Sequence, residues 1–321
     1  MISPRTTLEN HFDWYPAAEI YDRSHVDEFL DGLDALLILE KLHDWGPAIK
    51  AQRRHIRLIL MPMYEITPDP LPVNPDVFIC PSRLDFDVYG PKGTAIYLPV
   101  PVDVPWRQRR SVRTFVHNAG NGYGFFRNGT FDLLAAVAFI KSPIQLIVRM
   151  QESLWRALEV RERREEIQGI LDQAARDPRV VFVRGTVPYE ELWTQGDAFV
   201  FPERYNGLSL PLQEARASGM LVIASDRYPM NTWLPREPLI PVSGYEPVAR
   251  FGIEVRSAIV RPEDIARTID EWYDADITAY SREGREWAQA HSWSRWRQTY
   301  LDVLAGRCDT RPDESSPGCR P

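Results

Sequence analysis

The chain has 321 residues, 44% hydrophobic and 26% charged, a composition that fits a globular protein of two domains or one large one. Its formal charge of −7 excludes a chain that seeks nucleic acid by bulk charge alone, and no run approaches the ~18 apolar residues of a membrane span. Three cysteines (Cys80, Cys308, Cys319), with no C-x-x-C spacing, argue against a disulfide framework or a zinc site.

Along the chain, "MISPRTTLENHFDWYP" has no apolar signal core, which predicts a reduced, cytoplasmic, soluble protein. Residues 1–30 carry no clear strand. "ALLILE" (35–40) reads as a buried strand, and "WGPAIKAQRR" (45–54) as a helix with proline in its first turn. "IRLILMPM" (56–63), "DVFICPS" (76–82) and "AIYLPVPV" (95–102) read as further strands. A second set follows. Strands are predicted at 112–118, 144–150, 180–185, 198–202 and 221–225. Helices are predicted at 130–140, 152–176, 188–196 and 210–218, and the region 262–305 is helical. The last residues, "GRCDTRPDESSPGCRP", read as a disordered tail over 306–321. Strands alternating with helices predict an α/β fold with parallel sheets, and two such sets predict two Rossmann-like domains. In such sheets ligands bind beyond the carboxyl ends of the strands.

The stretch "NGLSLPLQEARASGMLVIASD" (206–226) concentrates chemistry there. It is a turn at the end of strand "FVFP", then a helix starting near Ser209–Leu210. The first N–H groups of a helix lack intrahelical partners and its N-terminus carries partial positive charge, which suits phosphate. Gly207 permits close backbone approach or positive φ. Glu214, one turn in, is a carboxylate able to accept two hydroxyl hydrogens, as from ribose. A lone glutamate in a first helical turn can equally be a dipole-favourable surface residue.

With "VVFVRGTVPYEELWTQGDAFVFPERY" before it, this stretch resembles the nucleotide-sugar half of the retaining GT-B glycosyltransferases of the group 1 (family 4) type, whose pattern reads E-G-F-G-L-P-x-x-E-A-x-A-x-G-x-P-V-I-A-S. The resemblance covers roughly residues 112–305, and more loosely 34–105. It implies a GT-B fold: two Rossmann-like domains facing a central cleft, the N-terminal one shortened. The implied boundaries are 1–105 for the acceptor-side domain, 106–290 for the donor domain, and 291–305 for a helix crossing back. It assigns Glu214 to the donor ribose and Gly207, Leu208 and Ser209 to the turn facing sugar and phosphates. The pattern's first glutamate, which contacts the transferred sugar, is Asn206 here, a departure bearing on donor choice and activity. Glu203 is out of register, a turn residue first and a substitute second. The resemblance also implies front-face transfer with no obligatory metal and no cofactor beyond the nucleotide-diphosphate sugar; "LEVRERREEIQ" has nearly balanced charge, and no basic amphipathic helix predicts membrane insertion.

The loop "HNAGNGYGFFRNG" would form the other half of the donor site. Gly120 and Gly122 let the backbone approach a ligand, and Arg127 can neutralise diphosphate. Where the family has an additional arginine, Arg149 is the candidate and Arg184 a weaker one. His117 reads either as a satisfied strand-end histidine or as a functional group. Glu65, charged at the end of a buried run, reads either as a surface residue or as a base for an acceptor hydroxyl. The acceptor is a saccharide or small metabolite, with a hydroxylated base in DNA as the alternative. Two basic clusters, Arg53/Arg54/Arg57 and Arg107/Arg109/Arg110, would bind such a polyanion. The competing reading is a non-catalytic subunit that keeps the fold and binds nucleotide-sugar or a protein partner.

Overall fold

The computed structural model describes residues 2–3, 19–20, 23–120, 125–150, 164–185, 187–235, 238–250 and 252–307. Gly122, the first half of the long helix expected at 152–176, and the tail from Cys308 onward lie outside these. The chain divides into two compact units, Met1–Leu98 with Gln298–Pro321, and Pro99–Arg297.

The first unit holds a four-stranded parallel sheet of β1 (Ala35–Leu39), β2 (Arg57–Met61), β3 (Val77–Cys80) and β4 (Ala95–Tyr97), in that order. The continuous apolar runs of β2 and β3 follow from burial on both faces. The expected strand at 95–102 stops at Tyr97, before Pro99 and Pro101, because proline has no N–H to give to a ladder. Short helices α1 (Val26–Leu30), α2 (Gly46–Arg53) and α3 (Arg83–Tyr89) accompany the sheet. The sequence reading did not include α3. It starts at Ser82, whose Oγ accepts from Asp85 N at 3.0 Å, a side-chain cap that local propensity alone does not announce. Ile38, Leu58, Leu60, Phe78, Ala48 and Tyr89 form the centre of this core.

The second unit is a five-stranded parallel sheet. Its strands are β5 (Thr114–Gly120), β6 (Gln145–Met150), β7 (Val180–Arg184), β8 (Ala198–Phe201) and β9 (Leu221–Ala224). The spatial order is β9-β8-β5-β6-β7, so in chain order the strands lie 5-4-1-2-3. That is the doubly wound arrangement, with its switch point between β5 and β8. Successive residues serve opposite faces. Phe115, Val200, Leu221 and Ile223 enter one core, while Val116, Phe199, Phe201 and Val222 enter the other. Helices α4 (Thr130–Ala136), α5 (Arg164–Arg176), α6 (Leu210–Ala217), α7 (Pro262–Trp272) and α8 (Thr278–Ala290) complete the unit. An antiparallel hairpin, β10 (Gly244–Arg250) with β11 (Ile253–Ile259), had no counterpart among the expected elements. The final helix α9 spans Trp293–Leu304.

The division falls at Leu98/Pro99 rather than at 105/106, for a traceable reason. The extended segment 101–113 is bonded into the second unit. Val102 N reaches His291 O at 2.8 Å, Arg107 N reaches Ser218 O at 3.1 Å, and Ile277 N reaches Arg110 O at 2.9 Å. From Gln298 the last helix counts with the first unit, where Arg57 Nη1 donates to Val303 O at 2.8 Å. The second unit accordingly runs on to Arg297 instead of ending at 290.

This anchoring corrects one expectation outright. Arg109, expected on a polyanion-binding surface, is 2% exposed. Its guanidinium donates to Gly196 O (2.8 Å), Trp193 O (2.7 Å), Arg107 O (3.1 Å) and Ser218 O. Burial lowers its pKa to about 10, and each of its three guanidinium nitrogens donates to a backbone carbonyl. The other cluster is compromised as well. Arg54 pairs with Asp27 at 2.6 Å and Asp31 at 2.8 Å, and Arg57 is tied to Val303. Arg53, Arg107 and Arg110 remain on the surface.

Candidate functional site

At the switch point of the second unit the ladder opens. β5 and β8 are registered only at Phe115↔Ala198 and Val116↔Phe199. Beyond that the next carbonyl of β8, Val200 O, is taken by the His117 side chain, Nδ1 at 2.8 Å. Two segments leave the diverging strands. Among the described residues one comprises Phe125–Gly129 and the other runs from Pro202 to Ser209.

They are held against each other. Gly129, at φ 68 ahead of α4, lies so close to the second segment that a Cβ there would stand 2.0 Å from Pro202 O. Arg204 N donates to Arg127 O at 2.8 Å, and the Arg204 guanidinium grips the Asp132 carboxylate through Nε and Nη2, both at 2.8 Å. The same guanidinium lies 4.4 Å from the ring centre of Phe126. Asn128 Nδ2 donates to Ala119 O at 3.0 Å, closing the first segment on its own strand.

The second segment contains a buried ion pair. Glu203 is 0% exposed, and its Oε1 is 2.7 Å from Arg227 Nη2. Its Oε2 accepts from Ser209 Oγ at 2.7 Å. Arg227 Nη2 also reaches Asn206 O at 2.6 Å, and Nη1 reaches Tyr228 O at 2.9 Å. Asn206 Oδ1 accepts from Ser209 N at 2.9 Å. The left-handed residue of the turn is Ser209 (φ 47, ψ 58), which stands where the family pattern has its second glycine. A non-glycine residue there costs about 1–2 kcal/mol, and the hydrogen bonds to Glu203 and Asn206 hold it in place.

This turn delivers the start of α6. The backbone N–H groups of Gly207, Leu208 and Leu210 have no hydrogen-bond partner among the described residues. They sit where the helix dipole is positive, so the turn is a cradle of donors. Leu208 O is held by Gln213 Nε2 at 2.7 Å. On the next turn Glu214 is half-buried, and its Oε1 accepts from Tyr189 Oη at 2.7 Å. Desolvation raises the Glu214 pKa, opposed by that hydrogen bond.

The structure separates the remaining expected site residues. Gly120, at φ 76, ends β5 at the crevice. Arg127 is half-buried in the turn before α4. Arg149 ends β6, one strand from the switch point, and is mostly spent on structure: Nη1 donates to Leu192 O at 2.5 Å, with longer contacts of 3.5 Å to Asn118 Oδ1 and Gln195 Oε1. Burial lowers its pKa. Arg184 is exposed at the end of β7, the outermost strand, two strands from the switch point.

His117 is a correction. It is 0% exposed, and both ring nitrogens are engaged. Val200 O can only accept, so Nδ1 carries the proton and Nε2 accepts from Thr130 Oγ at 2.8 Å. Burial pushes its pKa down to about 4, so the ring is neutral at pH 7. It replaces the ladder bond lost where the strands part. Glu65, in the first unit, is not a surface residue: it is 2% exposed in the turn after β2 and lies beside Asp85. The residues that sequence reasoning missed are Arg227, Arg204 and Tyr189. Their partners lie 24, 72 and 25 positions away, beyond any local periodicity.

Among the described residues no three or more His, Cys, Asp or Glu are grouped to hold a metal ion, and no helix is long and apolar enough to cross a membrane.

No protein-family model matches the chain, and no curated protein matches it by sequence. Solved structures do match in fold, with sequence identities of 20% or less among those compared. Sucrose-phosphate synthase from Thermosynechococcus elongatus is 20% identical, with a TM-score of 0.60 over 95% of this chain and 81% of that one. Anabaena HepE, solved with UDP and glucose, is 13% identical, with a TM-score of 0.63 over 94% and 89%. A glycosyltransferase from Rickettsia africae is 10% identical, with a TM-score of 0.67 over 95% and 89%. The chain has the GT-B glycosyltransferase fold.

Proposed function

We propose that the protein is a retaining glycosyltransferase that moves a sugar from a nucleotide-diphosphate donor to a hydroxyl acceptor. One observation carries this reading: three unpartnered N–H groups and a half-buried carboxylate, Glu214, converge on the first turns of α6 at the switch point. The N–H cradle suits the diphosphate, and Glu214 suits the ribose hydroxyls. Arg127, from the facing turn, adds positive charge. As the sugar leaves, the bond from its anomeric carbon to the diphosphate oxygen breaks and the electron pair departs with the nucleotide. The cradle stabilises that developing charge. The acceptor oxygen bonds the anomeric carbon and its proton passes to the departing phosphate oxygen.

The acceptor favoured is a saccharide or small metabolite. Burial of Arg109 and the pairing of Arg54 remove support from a DNA acceptor. The test is incubation with labelled UDP- and GDP-sugars, following donor hydrolysis and the thermal shift. Turnover at sub-saturating donor that falls about ten- to a hundredfold in Glu214→Gln supports the reading. A thermal shift without turnover would identify a non-catalytic nucleotide-sugar-binding subunit, and no shift with any nucleotide would overturn the site.

A further inference from the structure

Glu214 is held by a side chain from a different element. Among the described residues its carboxylate has a single hydrogen bond, from Tyr189 Oη to Oε1 at 2.7 Å. Oε2 has none and is open to solvent. Tyr189 is also the titratable group that acts on this carboxylate, and no cation stands beside it among the described residues. The tyrosine opens the single-turn 3-10 helix Tyr189–Glu191, in the connection after β7. That turn is fixed from the neighbouring strand. Leu192 N donates to Tyr189 O at 3.2 Å, and Leu192 O accepts from Arg149 Nη1 at 2.5 Å. Arg149, at the end of β6, thus braces the turn that carries the phenol. Tyr189 is 39% exposed, so its place is not imposed by packing in the core.

We propose that Tyr189 is a positioning residue for the nucleotide-sugar: its hydroxyl keeps Glu214 ionised and turned so that Oε2 receives the ribose. The proposal rests on the nucleotide-sugar reading above. A half-buried carboxyl without a cation is driven toward its neutral form, which carries a proton where the ribose hydroxyls bring their own. The phenol donates to Oε1 and so favours the charged, acceptor-only form. By occupying Oε1 it also fixes the carboxylate plane and leaves the second oxygen facing outward. Desolvation and this hydrogen bond act on the Glu214 pKa in opposite directions, the first raising it and the second lowering it.

The test is Tyr189→Phe, which keeps the ring and removes the hydroxyl. Affinity is measured for UDP-glucose and GDP-mannose, and for bare UDP and GDP. The pH series uses the nucleotide-sugars, whose doubly esterified diphosphate lacks the phosphate ionisation near about pH 6. At neutral pH the variant is expected to bind about two- to tenfold more weakly, the worth of a net hydrogen bond. Its acid limb should move to higher pH. Without the phenol Glu214 takes up its proton sooner, so affinity falls earlier as pH is lowered toward the ordinary glutamate value of 4.5. In Glu214→Gln that limb should be absent, and adding Tyr189→Phe should change affinity by less than about twofold. A Tyr189→Phe protein with the parent's affinity and acid limb overturns this inference and leaves the nucleotide-sugar site standing. So does a loss as large in Glu214→Gln as in the parent. A parent that binds neither nucleotide, bare or with sugar, overturns both.

Discussion

Glu203 and Glu214 lie eleven positions apart, one in the turn before α6 and one on its second turn, and they have opposite environments. Glu203 has no exposed surface, a guanidinium on one oxygen and a serine hydroxyl on the other. Glu214 is half-buried, with one oxygen accepting from the hydroxyl of Tyr189 at 2.7 Å. A carboxylate whose charge is cancelled inside the protein shapes the chain. A carboxylate left partly desolvated beside a cradle of donors is available to a ligand. Asp85 in the first unit is a third case: no cation pairs with it among the described residues, and burial raises its pKa to about 7.

The contrast breaks most visibly at Arg227. Arg227→Met would leave Glu203 charged and buried without its partner, a loss of about 3–5 kcal/mol in urea unfolding. Adding Glu203→Gln should recover part of that loss, and a double mutant no more stable than Arg227→Met would refute the pairing. Next is Gly129→Ala. A Cβ 2.0 Å from Pro202 O at φ 68 forces the two crevice segments apart, and about 2–4 kcal/mol of stability should go with it.

Glu214→Gln sharpens the comparison from the other side. Nucleotide-sugar affinity should fall about ten- to a hundredfold, equivalent to about 1.5–3 kcal/mol, while the melting temperature of the unliganded protein stays near the parent's. A variant that melts early but binds normally would place Glu214 with Glu203 instead.

The smallest effect concerns His117. His117→Asn should cost about 1–2 kcal/mol at pH 7 by leaving Val200 O and Thr130 Oγ without their partner. Its folded pKa, about 4, is below the ordinary 6.5, so the unfolded chain binds the extra proton first. Its contribution is complete above pH 6.5 and is lost as pH falls toward 4. Melting curves across that window should therefore bring variant and parent together. Asp85 has the opposite sign. Its folded pKa is raised, so its stabilising contribution is complete below its ordinary 3.8 and is lost as pH rises through about 7. Comparing Asp85→Asn with the parent between pH 5 and 8 separates the two.

Much of this molecule was determined by the sequence alone, because strand and helix periods are local. Short continuous apolar runs such as "VFIC" and "AFVF", rich in β-branched and aromatic residues, read as strands buried on two faces, and they lie where expected. The turn 206–209, the helix carrying Glu214 and the strand after it were legible for the same reason: a glycine-containing turn, a proline in the first helical turn, and an apolar run. What only tertiary structure decided were the partners of the polar residues. His117 and Arg109 carry the same side chains whether they face a substrate or a carbonyl. Their burial is fixed by strands that part at β5/β8 and by a segment that docks along α8. Arg227 finds Glu203 only because two parallel strands bring their ends side by side, and the direction of the Asn206 amide is fixed by one N–H three residues away. A sequence names the group at each position, but whether that group is free to act depends on which neighbours satisfy it, and those neighbours are brought in by the fold.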